Sequence, residues 1–319
     1  MNQRQENHSK FGRREFVGSC ALAVAAGGRL WAAEEEAVPT LGYKAVPGWA
    51  KLPADVPFVG VNGLDVDSKG RVYAAGGEEN AILVFAPSGK LLQAWGKGTI
   101  EGKHGVRVFN DRVYVADTSL HQMHEFTLDG KLLRSFGTRG KAGLGENQFD
   151  KPTDIAFGPD GDMFITDGYG NSRVVRLKPD GSFRMAWGKK GDGPSEFVYP
   201  HNIVIDDSGK VYVADRGNNR IQIFTTDGRF IKQWRHLGKP FGLLLTPDQT
   251  LYVADGNFDG PHRILKLNLD GKILGEFGST GTKAGQFKVP HSLAIDGQGN
   301  MYVAEVDNKR VQKFAPPKP

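Results

Sequence analysis

Of the eight histidines in this 319-residue chain, three fall at one position of a repeating pattern. The pattern is anchored on an aromatic residue within a short apolar segment: Tyr73, Tyr114, Phe164, Tyr212, Tyr252 and Tyr302. Counting back eleven residues from each anchor, or ten in the second copy with its shorter turn, gives Asn62, His104, Thr153, His201, Phe241 and His291. Histidine therefore occupies copies two, four and six. In a ring of six copies those three lie a third of a turn apart. Three imidazoles converging on an axis form a three-ligand site with an open fourth position, the common form of catalytic zinc. Copper and nickel accept the same ligands, so the preference for zinc is a weak one. One such histidine alone would more simply hydrogen-bond a neighbouring repeat; the trio favours a metal.

Two loops after the anchor segments stand out beside this trio: Asp167-Gly168-Tyr169-Gly170-Asn171-Ser172-Arg173 and Asp215-Arg216-Gly217-Asn218-Asn219-Arg220. No other copy has a tyrosine or an arginine at the offsets of Tyr169 and Arg216. They are candidates for a phenolic base and an anion clamp near the metal. The acids Asp117, Asp167, Asp215, Asp255 and Glu305 recur in most copies. Recurrence assigns them to structure, accepting turn N–H groups or pairing with Arg173, Arg220 and Arg310. His121 and His124 alternate to opposite faces of one strand and are not expected to share a metal, and His236 and His262 have no partner at ligand spacing and are read as solvent-facing or structural. No phosphate-binding loop and no Gly-x-Ser-x-Gly elbow occurs.

The elements that must position these residues follow from the repeat. The anchors are 41, 50, 48, 40 and 50 residues apart, room for four short strands and their turns. Each copy runs from an apolar strand through a turn such as Asp160-Gly161 or Ser208-Gly209 to the aromatic strand, and on to a third strand like Arg220-Ile221-Gln222-Ile223-Phe224. A second turn, Asp129-Gly130, Asp180-Gly181, Asp227-Gly228 or Asp270-Gly271, leads to an outer strand ending in Trp95-Gly96, Phe136-Gly137, Trp187-Gly188 or Phe277-Gly278. Asp-Gly between strands is a strong hairpin signal. A lone four-stranded blade cannot bury both faces, and ring closure solves this. The expected fold is all-β, a six-bladed β-propeller with four antiparallel strands per blade. The sixth copy lacks an outer strand at the C-terminus, and residues 41–46 are expected to supply it and close the ring.

Residues 34–319 are expected to form this single propeller, and residues 1–33 to lie outside it. Arg13-Arg14-Glu15-Phe16-Val17 precedes a mild apolar stretch that ends near Leu30-Trp31-Ala32-Ala33, the pattern of a twin-arginine export signal. The stretch is shorter than the roughly 20 apolar residues a spanning helix needs, so no membrane span is expected. Cleavage after Ala33 removes Arg4, Lys10, Arg13, Arg14 and Arg29 with Glu6 and Glu15, which takes the formal net charge from +5 to about +2. So weak a field argues against nucleic acid as a partner. Cys20, the single cysteine, would leave with the signal. A monomeric, periplasmic or secreted protein without disulfides is expected.

The motifs resemble those of NHL-repeat propellers and, among them, peptidyl-α-hydroxyglycine α-amidating lyases. The resemblance runs from about Tyr43 to Phe314. It is carried by the Tyr169 loop, Leu120-His121-Gln122, Pro152-Thr153-Asp154, Tyr199-Pro200-His201-Asn202, Ala214-Asp215-Arg216 and Val289-Pro290-His291-Ser292. It implies that His104, His201 and His291 bind zinc, that Tyr169 is the base and that Arg216 is an active-site arginine. The implied reaction cleaves the N–Cα bond of a C-terminal α-hydroxyglycine to give glyoxylate and a peptide amide, so a small molecule or a peptide C-terminus is the implied substrate. Two departures stand out. Family members carry an arginine after the aromatic strand of blade one, where this chain has Ala75-Gly76-Gly77-Glu78-Glu79, and Ser292 replaces an aspartate that helps hold a structural calcium, which speaks against calcium. The missing arginine favours the alternative, a non-catalytic NHL propeller that binds a protein or envelope partner. A lactonase-like hydrolase would centre its metal on carboxylates and asparagines, which the histidine trio opposes.

Overall fold

A computed structural model describes residues 37–317. The proposed export signal lies outside the described residues. Six four-stranded antiparallel sheets follow one another along the chain, and the inner strands of successive sheets pack side by side around an axis. Blades 1 to 5 each place their four strands in chain order from axis to rim. Their inner strands are Phe58–Val66, Lys103–Phe109, Pro152–Phe157, Pro200–Ile205 and Pro240–Leu245, and Pro290–Ile295 serves blade 6. Among the described residues the one helical segment is a single 3-10 turn, Arg216–Asn218.

Blade 6 is closed by Lys44–Val46, which pairs antiparallel with Arg310–Ala315 in the register Lys44 with Ala315 and Val46 with Lys313. The expected closure holds, with a shorter strand than residues 41–46. The residues before it do something the sequence did not reveal. Leu41 N–H donates to Glu276 O at 2.9 Å and Glu276 N–H donates to Pro39 O at 2.8 Å, so the segment also hydrogen-bonds the outer strand of blade 5. Farther on, Lys51 N–H donates to Gly89 O in blade 1. One N-terminal strap thus ties three consecutive blades.

The core lies between blades. The six anchor aromatics are all buried, and each wedge is filled by apolar side chains from two adjacent sheets, as with Tyr212, Trp234, Leu243 and Val253 between blades 4 and 5. Removing such apolar area from water drives closure of the ring. The Asp-Gly turns have a second role beyond the hairpin. Gly130 has φ +86°, and a Cβ there would stand 2.4 Å from Trp95 of the preceding blade. Glycine is required both by the left-handed backbone and by the aromatic ring seated on it.

Candidate metal centre

The ring position found by counting is the second residue of the inner strand in blades 2 to 6 and lies farther in, at Asn62 of Phe58–Val66, in blade 1. In blades 3 to 6 the strand starts with a proline, where no ladder N–H is needed, and the next residue is skipped by the pairing. Pro200 faces Asp215 and Asn202 faces Ala214, leaving His201 between them. Thr153, Phe241 and His291 are skipped in the same way, and the register of blade 2 breaks across His104 and Gly105. An unpaired bulge residue is free to re-aim its side chain, here toward the axis. The recurrent acids fix the approach to this bulge. Asp167 accepts from Asp150 N–H, Asp215 from Val198 N–H, Asp255 from Lys239 N–H and Glu305 from Lys288 N–H, at 2.7–2.9 Å. Arg173, Arg220 and Arg310 pair with Asp167, Asp215 and Glu305 as expected.

The structure brings His104, His201 and His291 together. All three are buried, their potential ligand atoms lie within 4.8 Å of one another, and their ring centroids are 4.6–4.9 Å apart. Each Nδ1 lies against a backbone carbonyl of the next blade: Thr153 O at 2.7 Å, Phe241 O at 2.6 Å and Asn62 O at 2.5 Å. These carbonyls belong to the ring positions of the intervening blades. A carbonyl only accepts, so every Nδ1 carries the proton and every Nε2 presents a lone pair.

One hydroxyl proton faces these lone pairs. Tyr169 Oη is 2.9 Å from both His104 Nε2 and His201 Nε2, and Arg216 Nη1 donates to it at 3.2 Å. The phenol can donate to only one imidazole. His291 Nε2 has no hydrogen-bond partner among the described residues. Burial, with Arg216 adding its positive charge, pulls His104 down to about 4, and burial with neighbouring cationic groups holds His201 and His291 well below the usual imidazole range. Three neutral imidazoles with inward lone pairs and too few protons form a donor set suited to a cation, and backbone-anchored Nδ1–H groups are the ordinary outer support of metal-binding histidines. Burial pushes the Tyr169 phenol up, opposed by the charge and hydrogen bond of Arg216.

Arg216 is half-buried and stacks on Tyr169, Tyr199 and Phe241, its guanidinium carbon 5.1, 5.6 and 4.7 Å from the ring centroids. No carboxylate lies within ion-pair distance of it among the described residues, so it offers its charge to the site. In blade 1, Gly76 and Gly77 end the buried strand Val72–Gly77, and Glu79 pairs at the surface with Lys97 at 3.2 Å. The segment Ala75–Glu79 therefore supplies no cation in place of the missing arginine.

Among the described residues the other histidines stay apart from the centre. His124 is buried against Ser135 and Asp117, while His121 lies 3.2 Å from Asp150. His236 bonds Gly271 O, and His262 is buried with Nδ1 at Phe287 O. Two features went unread in the sequence. Phe241 packs against His201 and His291 at 5.4 Å, as an apolar wall of the centre. Farther along the channel, Arg107 binds Asp154 and Asn202 at 2.7–3.2 Å near half-buried Asp65. A cavity of about 570 Å³ opens at that end, lined by Arg107, Phe109, Phe157 and Leu244.

Known proteins agree with this architecture. The family model described as NHL repeat matches residues 197–224. The human protein named NHL repeat-containing protein 3 is 32% identical over 97% of this chain and 91% of its own length. Peptidyl-alpha-hydroxyglycine alpha-amidating lyase 1 of Drosophila melanogaster is 29% identical over 74% of this chain, which spans about half of that protein, 49%. Among solved structures, that titled "Streptogramin B lyase structure" superposes with a TM-score of 0.59 at 15% identity, covering 86% of this chain and 96% of that one, a likeness of fold alone. No helix among the described residues is long and apolar enough to cross a membrane. The chain belongs to the NHL-repeat family of β-propellers, whose members similar to it include amidating lyases.

Proposed function

We propose that this protein is a zinc-dependent carbon–nitrogen lyase of the peptidyl-α-hydroxyglycine amidating type, or a close relative acting on another small substrate. One observation carries the reading: three Nε2 lone pairs converge, the single proton of Tyr169 is within reach of only two of them, at His104 and His201, and its oxygen is held by Arg216. His104, His201 and His291 would hold the zinc through Nε2. When bound there, zinc supplies Lewis acidity toward a substrate hydroxyl and favours the ionised form of a nearby phenol. The resemblance to amidating lyases supports a reaction in which Tyr169, as phenolate, takes the proton of that hydroxyl, the O–H electron pair forms the carbonyl at Cα as the N–Cα bond breaks, and the phenol returns the proton to the departing amide nitrogen. Arg216 has two roles: its Nη1 steadies Tyr169 as the phenolate that its role as base requires, and its charge attracts the substrate carboxylate. With no blade-one arginine, both roles fall to this one side chain. Export by the twin-arginine route to the periplasm or outside is part of the proposal and rests on the sequence of residues 1–33.

The test is glyoxylate release from an N-acyl-α-hydroxyglycine by zinc-loaded protein. Turnover that falls at least about 100-fold in Tyr169→Phe supports the base assignment, a typical contribution of general base catalysis. No turnover by protein that does bind zinc refutes the lyase reading. A second reading, a non-catalytic propeller that binds a protein or envelope partner around a structural metal, draws on the absent blade-one arginine and on the end-to-end match to NHL repeat-containing protein 3.

A further inference from the structure

Water-exposed aromatic rings are a poor use of apolar area unless something covers them. Among the described residues the exposed large hydrophobic side chains include just two aromatics, Tyr199 at 46% and Phe258 at 62% exposure. They come from different blades, yet both stand beside the histidine centre. Tyr199 is 6.1 Å from Tyr169 and stacks against Arg216. Phe258 packs edge-on, 5.8 Å from Phe241, which itself touches His201 and His291. Arg216 lies between the two arms, 4.7 Å from the Phe241 ring centroid. Tyr199 adopts a left-handed backbone, φ +58°, which Lys151 and Val289 share at the equivalent positions of blades 3 and 6, so this turn belongs to the repeat and the ring on it is what differs.

We infer that Tyr199 and Phe258 are specificity-determining residues, forming an aromatic mouth that selects substrates with a bulky apolar or aromatic group next to the carboxylate-bearing unit held at Arg216. This rests on the proposed function. The order of the rings gives the selection: histidines innermost, Phe241 and Tyr169 around them, then the two exposed rings where the next group of the substrate emerges. An aromatic acyl group or a bulky apolar residue there would cover Tyr199 and Phe258 and gain ring-to-ring contact, and a small acyl group would leave both wet.

The experiment measures binding rather than turnover, by calorimetry on zinc-loaded protein with N-benzoylglycine and N-acetylglycine. N-benzoylglycine is expected to bind at least tenfold more tightly. Phe258→Ala, and Tyr199→Asn, chosen because asparagine tolerates a left-handed backbone, should each weaken the benzoyl ligand severalfold and the acetyl ligand less than twofold, with zinc content unchanged. Equal affinity for the two ligands in the unaltered protein, or a benzoyl preference that survives both substitutions, overturns the aromatic mouth while leaving the lyase reading standing. If neither ligand binds, the carboxylate site of the lyase reading is lost and the mouth with it.

Discussion

Replacing Arg220 with methionine should cost more stability than any other single charge removal in the propeller. Arg220 is fully buried and all five of its N–H bonds have acceptors: Asp215 Oδ2 at 2.7 Å, Asp192 O at 2.6 Å, Gln233 Oε1 at 2.8 Å, Gly193 O at 2.9 Å and Glu196 O at 2.7 Å. Methionine fills much of the volume and donates nothing. The substitution takes a donor from a buried carboxylate, already pushed up by its burial, and from four further oxygens, of which Glu196 O keeps the donor Gln222 Nε2. Breaking a buried pair from one side typically costs about 3–5 kcal/mol. At a few degrees per kcal/mol for a domain of this size, that is a fall in Tm on the order of 10 °C. Arg310 makes the matching clamp on Glu305 with its side chain 27% exposed, so water can replace part of what Arg310→Met removes and its fall should be clearly smaller. Asp192, Gly193 and Glu196 belong to the loop leading into His201, so Arg220→Met should also weaken zinc binding. Thermal unfolding followed by circular dichroism gives the comparison. Equal shifts in the two variants, or a shift of under about 3 °C in Arg220→Met, would refute the argument from burial.

Three further outcomes follow from the same structure. Deleting residues 41–46 removes the outer strand of blade 6 and its register with Arg310–Ala315, so Tm should drop sharply, and an unchanged melting curve would contradict closure by the strap. The metal-free protein should lose stability as pH falls from about 7 to 5. In the unfolded chain the three imidazoles take up protons near pH 6.5, while folded His104 stays neutral down to about 4 and His201 and His291 also resist protonation. The unfolded state thus binds more protons in this window, and stability rises with pH. Urea midpoints at several pH values test this against a variant with all three histidines changed to glutamine; equal slopes would remove the histidines as the cause. Loading zinc should raise Tm in proportion to its excess over the dissociation constant, and a melting temperature indifferent to zinc would mean that the folded state does not bind it.

Much of the centre was legible because the repeat converts sequence position into height along the axis. Counting from the buried aromatics placed His104, His201 and His291 at one level before any coordinate was needed. Tyr169 and Arg216 were visible as departures from the pattern of the other copies. What escaped was carried by backbone atoms and by side chains with no distinctive type. The acceptors that fix each Nδ1–H are carbonyls of Thr153, Phe241 and Asn62, and a carbonyl leaves no mark on a sequence. Phe241 stood in the sequence only as one member of the ring position, and Phe258 carries no signal there that sets it apart. The pairing of residues 39–41 with blade 5 uses main-chain groups for the same reason. Arg107 could have been noticed as a charge inside an inner strand, where a cation needs partners, and those partners are Asp154 and Asn202.

The central claim is that three neutral imidazoles hold a metal ion on the propeller axis, and elemental analysis of the purified protein tests it most directly. The expected result is about one zinc per chain, retained through dialysis and lost in His201→Ala that still melts as a folded propeller. A folded protein that carries no zinc and takes up none on addition, or a His201→Ala variant that keeps a full equivalent, would contradict it.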